Sequence, residues 1–141
     1  MPDKPKLSRR QCRELIFKLL FAKEFDREAD PAAFYDAFID VTEEVPAEYA
    51  KNVFIGVSES LEELDTEIEG VSLRWKLSRM STATRCVLRM AVYEMTVCDV
   101  PPKAVINEAV EIIKSYDEDS APSFVNGILN KIARNRGLIE A

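Results

Sequence analysis

The chain has 141 residues, of which 47% are hydrophobic and 31% charged, a composition typical of a folded globular domain and unlike that of a disordered chain. It contains no histidine, and Cys12, Cys86 and Cys98 are neither clustered nor spaced as C-x-x-C, so we expect no metal, no cofactor and no enzymatic activity. No apolar run is long enough for a membrane span or a signal peptide, which predicts a cytoplasmic protein formed by a single domain over residues 1–141.

The net charge of −6 is unevenly distributed along the chain. Five basic residues and one acidic residue lie in the first 13 positions: Lys4, Lys6, Arg9, Arg10 and Arg13 against Asp3. A second stretch free of acids holds Arg74, Lys76, Arg79, Arg85 and Arg89. The affinity of a protein for a nucleic acid depends on the cations that contact its phosphates. A local basic patch on an acidic chain is therefore compatible with nucleic-acid binding.

The first predicted helix begins near Ser8, a favourable N-cap residue. Its core face follows helical spacing and consists of Cys12, Leu15, Ile16, Leu19 and Ala22. Phe17 and Phe21 project roughly the opposite way, so we expect an exposed pair of rings that a partner covers; the alternatives are that the second helix or a homodimer covers them. Asp30 and Pro31 then mark the start of a short helix that extends to about Val41.

Pro46 begins a further helix, which extends to about Glu67 and ends at Gly70. The connector that follows contains Trp75 and Leu77. We expect it to be the seam between two helical halves, about residues 8–70 and 77–136.

The segment from about Ser81 to Cys98 is apolar around most of its circumference, which predicts a central helix. Its polar stripe comprises Arg85, Arg89 and Thr96, and we expect a solvated, basic seam there. Two more helices follow, over residues 103–116 and 120–136, and mid-helix Gly127 costs about 1 kcal/mol relative to Ala. A close helix contact or a ligand should compensate. The whole pattern predicts an all-α bundle of about six or seven helices in two packed halves.

Several of these residues have an ordinary structural explanation as well as a functional one. Arg9, Arg10 and Arg13 could be a solvated helix start, but cations oppose the helix dipole at this end, which favours a role in phosphate binding. Arg85 and Arg89 could be an exposed stripe without function. Phe124, at the margin of an apolar face, could be core or could stack on an unpaired base.

Five segments carry a resemblance to the NusB family of bacterial transcription antitermination factors. They are residues 9–14 (RRQCRE), 75–80 (WKLSRM), 87–95 (VLRMAVYEM), 101–114 (PPKAVINEAVEIIK) and 124–129 (FVNGIL). The last two, in this order and close together, are the most specific. The resemblance covers nearly the whole chain and implies a helical fold of two halves.

The resemblance also implies a function. A member of this family pairs with NusE, a small ribosomal subunit protein, and binds boxA in single-stranded RNA. The pair joins other Nus factors on RNA polymerase and supports transcription of ribosomal RNA operons. Matched residue by residue, the RNA-binding positions are Arg9, Arg10, Arg13, Arg89 and Phe124. The positions assigned to the partner surface are Phe17, Phe21, Thr84 and Arg85.

Two other classes of function remain open at this point. The chain could be a helical homodimer that buries Phe17 and Phe21 and has no direct role with RNA. It could also be a module related to the NusB-like domain of ribosomal RNA cytosine methyltransferases. The chain lacks a Gly-rich cofactor loop, which argues against that second class.

Overall fold

The computed structural model describes residues 6–72 and 76–140, and over these ranges it contains seven α-helices and no strand. The helices are α1 (Arg9–Lys23), α2 (Pro31–Thr42), α3 (Glu48–Glu59), α4 (Leu61–Val71), α5 (Thr82–Thr96), α6 (Pro102–Lys114) and α7 (Ala121–Asn135), with one 3-10 turn at Leu77–Arg79. The all-α prediction is confirmed. Lys4, Arg74 and Trp75, which were part of the predicted basic stretches and connector, lie outside the described residues.

Local sequence determines where three of the helices begin. The Ser8 hydroxyl accepts a hydrogen bond from the Gln11 amide at 3.1 Å, and the Gln11 side chain accepts one from the Ser8 amide at 2.8 Å. This reciprocal capping box satisfies two amides that the first turn of α1 leaves without helical partners. Asp30 caps α2 and Ser81 caps α5 in the same position, each accepting from an amide at 3.0 Å.

The prediction of a single helix after Pro46 is wrong, because the chain forms two helices, α3 and α4, with a break at Ser60. Ser60 has φ −118° and ψ 20°, outside the helical region, and its carbonyl already accepts from the first turn of α4. The apolar spacing continues through Val57, Leu61 and Leu64 across this break, so periodicity alone could not reveal it. Gly70 does not end α4, which extends to Val71.

The chain divides into two compact units, of which the first ends at Glu59. Within it α1 packs against α3 and α2, and α2 also packs against α3. The Tyr35 hydroxyl joins α2 to the start of α3, donating to the Ala47 carbonyl at 3.2 Å and accepting from the Ala47 amide at 3.0 Å. The unit therefore holds α1 and α3, which carry its candidate functional residues, against each other.

The second unit begins at Ser60 and contains α4 to α7. It therefore includes α4, which the predicted halves at about 8–70 and 77–136 had placed in the first half. The reason is packing, since α4 contacts α5 and α7. Helix α5 is buried over most of its surface and contacts α4, α6 and α7, as expected for a central helix. Arg136, just after α7, forms a two-pronged ion pair with Glu67 of α4.

Gly127 lies exposed on α7, and a Cβ atom added there would meet nothing within 4 Å. The expectation that a close helix contact compensates for this glycine is therefore wrong. Contact with a ligand remains the other predicted explanation.

Candidate nucleic-acid interface

The start of α1 carries two consecutive exposed arginines, Arg9 and Arg10. Arg13, one turn later, is only 6% exposed, so the expectation of three solvent-facing guanidinium groups is wrong at this position. Helix α1 is covered around most of its circumference and not on one face alone, and Arg13 lies on the covered part. The buried residues of α1 are Cys12, Arg13, Leu15, Ile16, Phe17, Leu19, Leu20 and Lys23. Only a narrow stripe of the helix, including Arg10, stays exposed.

Arg9 is held by an aromatic ring that the sequence did not point to. Its Cζ atom lies 3.5 Å from the centre of the Tyr49 ring, in the first turn of α3. At this distance the guanidinium lies over the ring face, in a cation–π contact. The two residues are 40 positions apart in sequence, and no local pattern could have predicted the pair.

An aromatic row runs along α1 and just beyond it, with Phe17, Phe21 and Phe25 spaced four residues apart. The ring centres of successive members lie 6.1 and 5.9 Å apart. Phe17 is only 2% exposed, so the prediction that it faces outward is wrong, whereas Phe21 and Phe25 are 36% and 80% exposed. Sequence reasoning missed Phe25, although its i, i+4 spacing from Phe21 was a usable signal.

Arg89 on α5 is engaged within the second unit. It is 6% exposed, and it donates to both carboxylate oxygens of Asp65 on α4, at 2.7 and 2.9 Å. Arg85 is half-buried and donates to the carbonyls of Leu77 and Met80 at 3.2 and 2.9 Å. The predicted solvated seam on α5 is therefore wrong, since both arginines bind groups of the protein itself.

Thr84, also on α5, is buried and donates a hydrogen bond to Asp117 at 2.7 Å. The hydroxyl of Ser81 donates to the same carboxylate oxygen, and the Glu118 amide donates to the other at 2.7 Å. Partial burial tends to raise the pKa of Asp117, but the hydrogen bonds from Ser81, Thr84 and Glu118 outweigh it and lower the pKa below its ordinary value. This carboxylate therefore stays ionised and ties the start of α5 to the loop before α7.

Phe124 is half-buried at the edge of an open groove of about 550 Å³ in the second unit. The groove is lined by Arg79, Met80, Ser81, Thr84, Asp117, Glu118, Ser120, Ala121 and Phe124. It thus brings together one predicted RNA-binding residue, Phe124, and one predicted partner residue, Thr84. Arg89 is not among its lining residues. The groove also holds the carboxylates of Asp117 and Glu118, and the hydroxyls of Ser81 and Thr84 already donate to Asp117.

The described residues also limit other chemistry. Over residues 6–72 and 76–140, no three His, Cys, Asp or Glu side chains come together in a way that could hold a metal ion. In the same ranges, every helix is too short or too polar to cross a membrane.

Comparison with known proteins identifies the family. The sequence model of the NusB family matches residues 10–134. The chain belongs to the NusB family. The transcription antitermination protein NusB of Thermoanaerobacter sp. (strain X514) is 36% identical over 134 residues, which cover 95% of this chain and 96% of that protein. NusB of Lachnoclostridium phytofermentans is 40% identical, with coverage of 89% and 98%.

Solved structures of NusB proteins share the fold. T. maritima NusB superimposes with a TM-score of 0.80 at 33% identity, covering 97% of this chain and all of that one. A chain from the crystal structure of antitermination factors NusB and NusE in complex with dsRNA gives a TM-score of 0.79 at 25% identity, with coverage of 90% and 96%. The predicted resemblance to NusB is confirmed. The relatives from Thermoanaerobacter and Lachnoclostridium are named as transcription antitermination proteins, which agrees with the expected lack of enzymatic activity.

Proposed function

We propose that the chain is a transcription antitermination factor, a non-enzymatic adaptor that binds boxA in single-stranded RNA together with NusE. In this proposal the pair joins other Nus factors on RNA polymerase and supports transcription of ribosomal RNA operons in the cytoplasm. Membership of the NusB family and the names of the relatives support the general role. The choice of boxA and of ribosomal RNA operons rests on the resemblance.

One observation carries the proposal: Arg9 and Arg10 stand exposed at the beginning of α1 in a chain whose net charge is −6. Cations at a helix N-terminus oppose the helix dipole and do little for stability. They are well placed to neutralise phosphates, whose binding releases counterions. With respect to the helix dipole, the position of these cations therefore suits a bound polyanion better than it suits helix stability.

A solved NusB–NusE complex contains double-stranded RNA. For this chain we propose single-stranded RNA, because unstacked bases suit dispersed arginines and the half-buried ring of Phe124. Stacking of one base on an aromatic ring contributes about 1–3 kcal/mol. Arg13 and Arg89 remain predicted RNA contacts, but both are buried, so we expect smaller losses of affinity from their substitution than from that of Arg9 or Arg10.

For the NusE surface we propose the exposed ring of Phe21, supported from behind by buried Phe17. Thr84 and Arg85 are the other predicted partner positions. Since both are hydrogen-bonded within the protein, we expect them to shape the surface that NusE meets. Phe21→Ala should weaken binding to NusE while leaving RNA binding without NusE unchanged.

The test is a titration of a boxA-like single strand, with a duplex of the same sequence for comparison, in the presence and absence of NusE. Arg9→Ala plus Arg10→Ala should weaken binding at least tenfold, as expected for two phosphate contacts. The matched control is Arg27→Ala plus Lys114→Ala, which removes the same charge from exposed residues paired with Glu24 and Glu111. Equal losses in the two double variants, or no gain of affinity from NusE, would reject the proposal.

A second candidate is a helical homodimer with no direct role with RNA. The exposed rings of Phe21 and Phe25 favour it, because large exposed aromatic groups commonly mark interfaces. Phe17 contributes less than predicted, since it is already buried. Sedimentation at tens of micromolar separates the two candidates: a monomer removes this one, and a dimer that dissociates on Phe21→Ser would support it.

A further inference from the structure

The contact between Arg9 and Tyr49 fixes an exposed cation in one orientation. With Cζ 3.5 Å from the ring centre, the planar guanidinium must lie nearly flat on the ring, because a tilt would drive one of its nitrogens into the ring carbons. Its N–H groups lie in the same plane and therefore point away from the ring at the edges. One face of the guanidinium is covered by Tyr49, and the Arg9 residue as a whole remains exposed.

The two partners of this stack are attached to well-defined elements. Arg9 is the first residue of α1, whose start is set by the capping box of Ser8 and Gln11. Tyr49 is half-buried in the first turn of α3, next to fully buried Ala50. Helices α1 and α3 pack against each other. The position of the guanidinium thus follows from the packing of the first unit.

Electrostatic pairing does not account for this position. In the part of the chain that the structure describes, no carboxylate forms an ion pair with Arg9. Some other surface cations of the first unit do form ion pairs: Lys18 pairs with Glu44, and Arg27 pairs with Glu24. An exposed arginine that lacks such a partner normally samples many rotamers, and ordering it for binding costs conformational entropy. Stacking on the Tyr49 ring restricts the Arg9 side chain before RNA binds, which reduces this entropy cost.

We propose that Tyr49 is a positioning residue for RNA binding, which holds the Arg9 guanidinium flat so that its N–H edges meet phosphate and its other face meets a base. The inference rests on the proposed function, since it requires Arg9 to contact RNA. Arginine suits this role because its planar group donates in pairs and stacks on aromatic faces at the same time. Tyr49 itself does not touch the RNA.

The experiment compares Tyr49→Leu, Tyr49→Phe and Arg9→Ala, alone and combined, by titration with the boxA-like single strand. Tyr49→Leu removes the ring quadrupole and should weaken binding by about three- to tenfold, because the cation–π interaction is absent and the Arg9 rotamers are freed. Tyr49→Phe keeps the ring and should stay within about twofold of the unsubstituted chain. In the Arg9→Ala background, Tyr49→Leu should have no further effect, because the residue acts only through Arg9.

A spectroscopic readout separates positioning from folding. In the unsubstituted protein, the ring current of Tyr49 should shift the Arg9 side-chain protons upfield in the NMR spectrum, and the shift should persist on addition of RNA. Absence of the shift would overturn the inference even if Tyr49→Leu failed to fold. Circular dichroism of each variant establishes that the folded fraction is unchanged before affinities are compared.

The possible failures are distinguishable. If Arg9→Ala weakens binding but Tyr49→Leu does not, the proposed function stands and the positioning role is wrong. If Tyr49→Leu weakens binding equally with and without Arg9, Tyr49 acts by another route and the inference is likewise wrong. If neither the unsubstituted chain nor any variant binds the single strand, with or without NusE, the proposed function itself fails.

Discussion

At the scale of single residues, Asp117 links the stability of the protein to pH. Its pKa is lowered in the folded state, because the hydrogen bonds from Ser81, Thr84 and the Glu118 amide outweigh the effect of partial burial. The unfolded chain therefore binds a proton more readily, so this carboxylate stabilises the fold above the ordinary aspartate pKa of about 3.9 and loses that contribution as the pH falls.

Asp117→Asn should therefore be less stable than the unsubstituted protein at pH 7, and the difference should shrink below about pH 4. Urea unfolding at several pH values measures it. Thr84→Val removes one of the donors and should change the pH dependence in the same direction but by less. A stability difference that stays constant from neutral to acidic pH would show that Asp117 does not act through its charge.

Arg89 provides a second test at this scale. It is buried and forms two hydrogen bonds to Asp65, a geometry that lysine cannot reproduce. Arg89→Lys should lower the free energy of unfolding by about 1.5–3 kcal/mol, the range for a hydrogen bond to a charged group. Arg79→Lys, at an exposed arginine of the same unit, should change it little. Equal stability of the two variants would contradict a structural role for Arg89.

The residues of the site differ in how far the sequence could predict them. Arg9 and Arg10 were recognisable, since the first turn of their helix contains no acidic residue. Arg89 was expected on a solvated seam because its partner, Asp65, is 24 positions away and belongs to another helix. Tyr49 went unrecognised for the same reason. The periodicity of a sequence indicates which residues share a face of one helix, whereas the roles of Arg89 and Tyr49 depend on contacts between helices.

At the scale of helices, the ends were predictable where a polar cap is present, as at Ser8, Asp30 and Ser81. The break at Ser60 was not, because its side chain makes no capping hydrogen bond and the apolar spacing continues through it. The prediction that the Phe17 side chain is exposed was wrong for a different reason. A single buried face was assumed for α1, but the helix is buried around most of its circumference.

Gly127 gives a prediction for α7. The position is helical and exposed, and a methyl group added there would meet open space, so alanine should fit without strain. Gly127→Ala should raise the free energy of unfolding by about 1 kcal/mol, from helix propensity and reduced freedom of the unfolded chain. Gly137→Ala is the contrasting control and should destabilise, since Gly137 has φ +70°.

The same variant tests whether Gly127 serves binding. If a glycine is needed at position 127 for contact with RNA or a partner, the more stable Gly127→Ala variant should bind one of them less tightly. Titration with the boxA-like strand and with NusE measures this. Unchanged affinity for both would remove the ligand explanation, and an unchanged or lower stability would contradict the helix-propensity argument.

At the scale of the whole molecule, the question is how a chain of net charge −6 binds a polyanion. Long-range repulsion from dispersed acids is screened over about 8–10 Å in ordinary salt, whereas cations that touch phosphate act through counterion release. The cations that contact the RNA should therefore determine RNA affinity more than the total net charge of the chain does. The dependence of RNA affinity on salt concentration distinguishes the two.

Plotted as log affinity against log salt, the unsubstituted chain should give a negative slope, and Arg9→Ala plus Arg10→Ala should reduce its magnitude by about 1.4, which is about 0.7 for each single-strand phosphate that is no longer neutralised. Glu62→Gln plus Glu63→Gln changes the total charge by the same amount in the opposite sense, at two exposed residues of α4. That variant should bind slightly more tightly at low salt with an almost unchanged slope. If the acid variant altered the slope as much as the arginine variant, total charge would govern binding, and the exposed start of α1 would lose its special role.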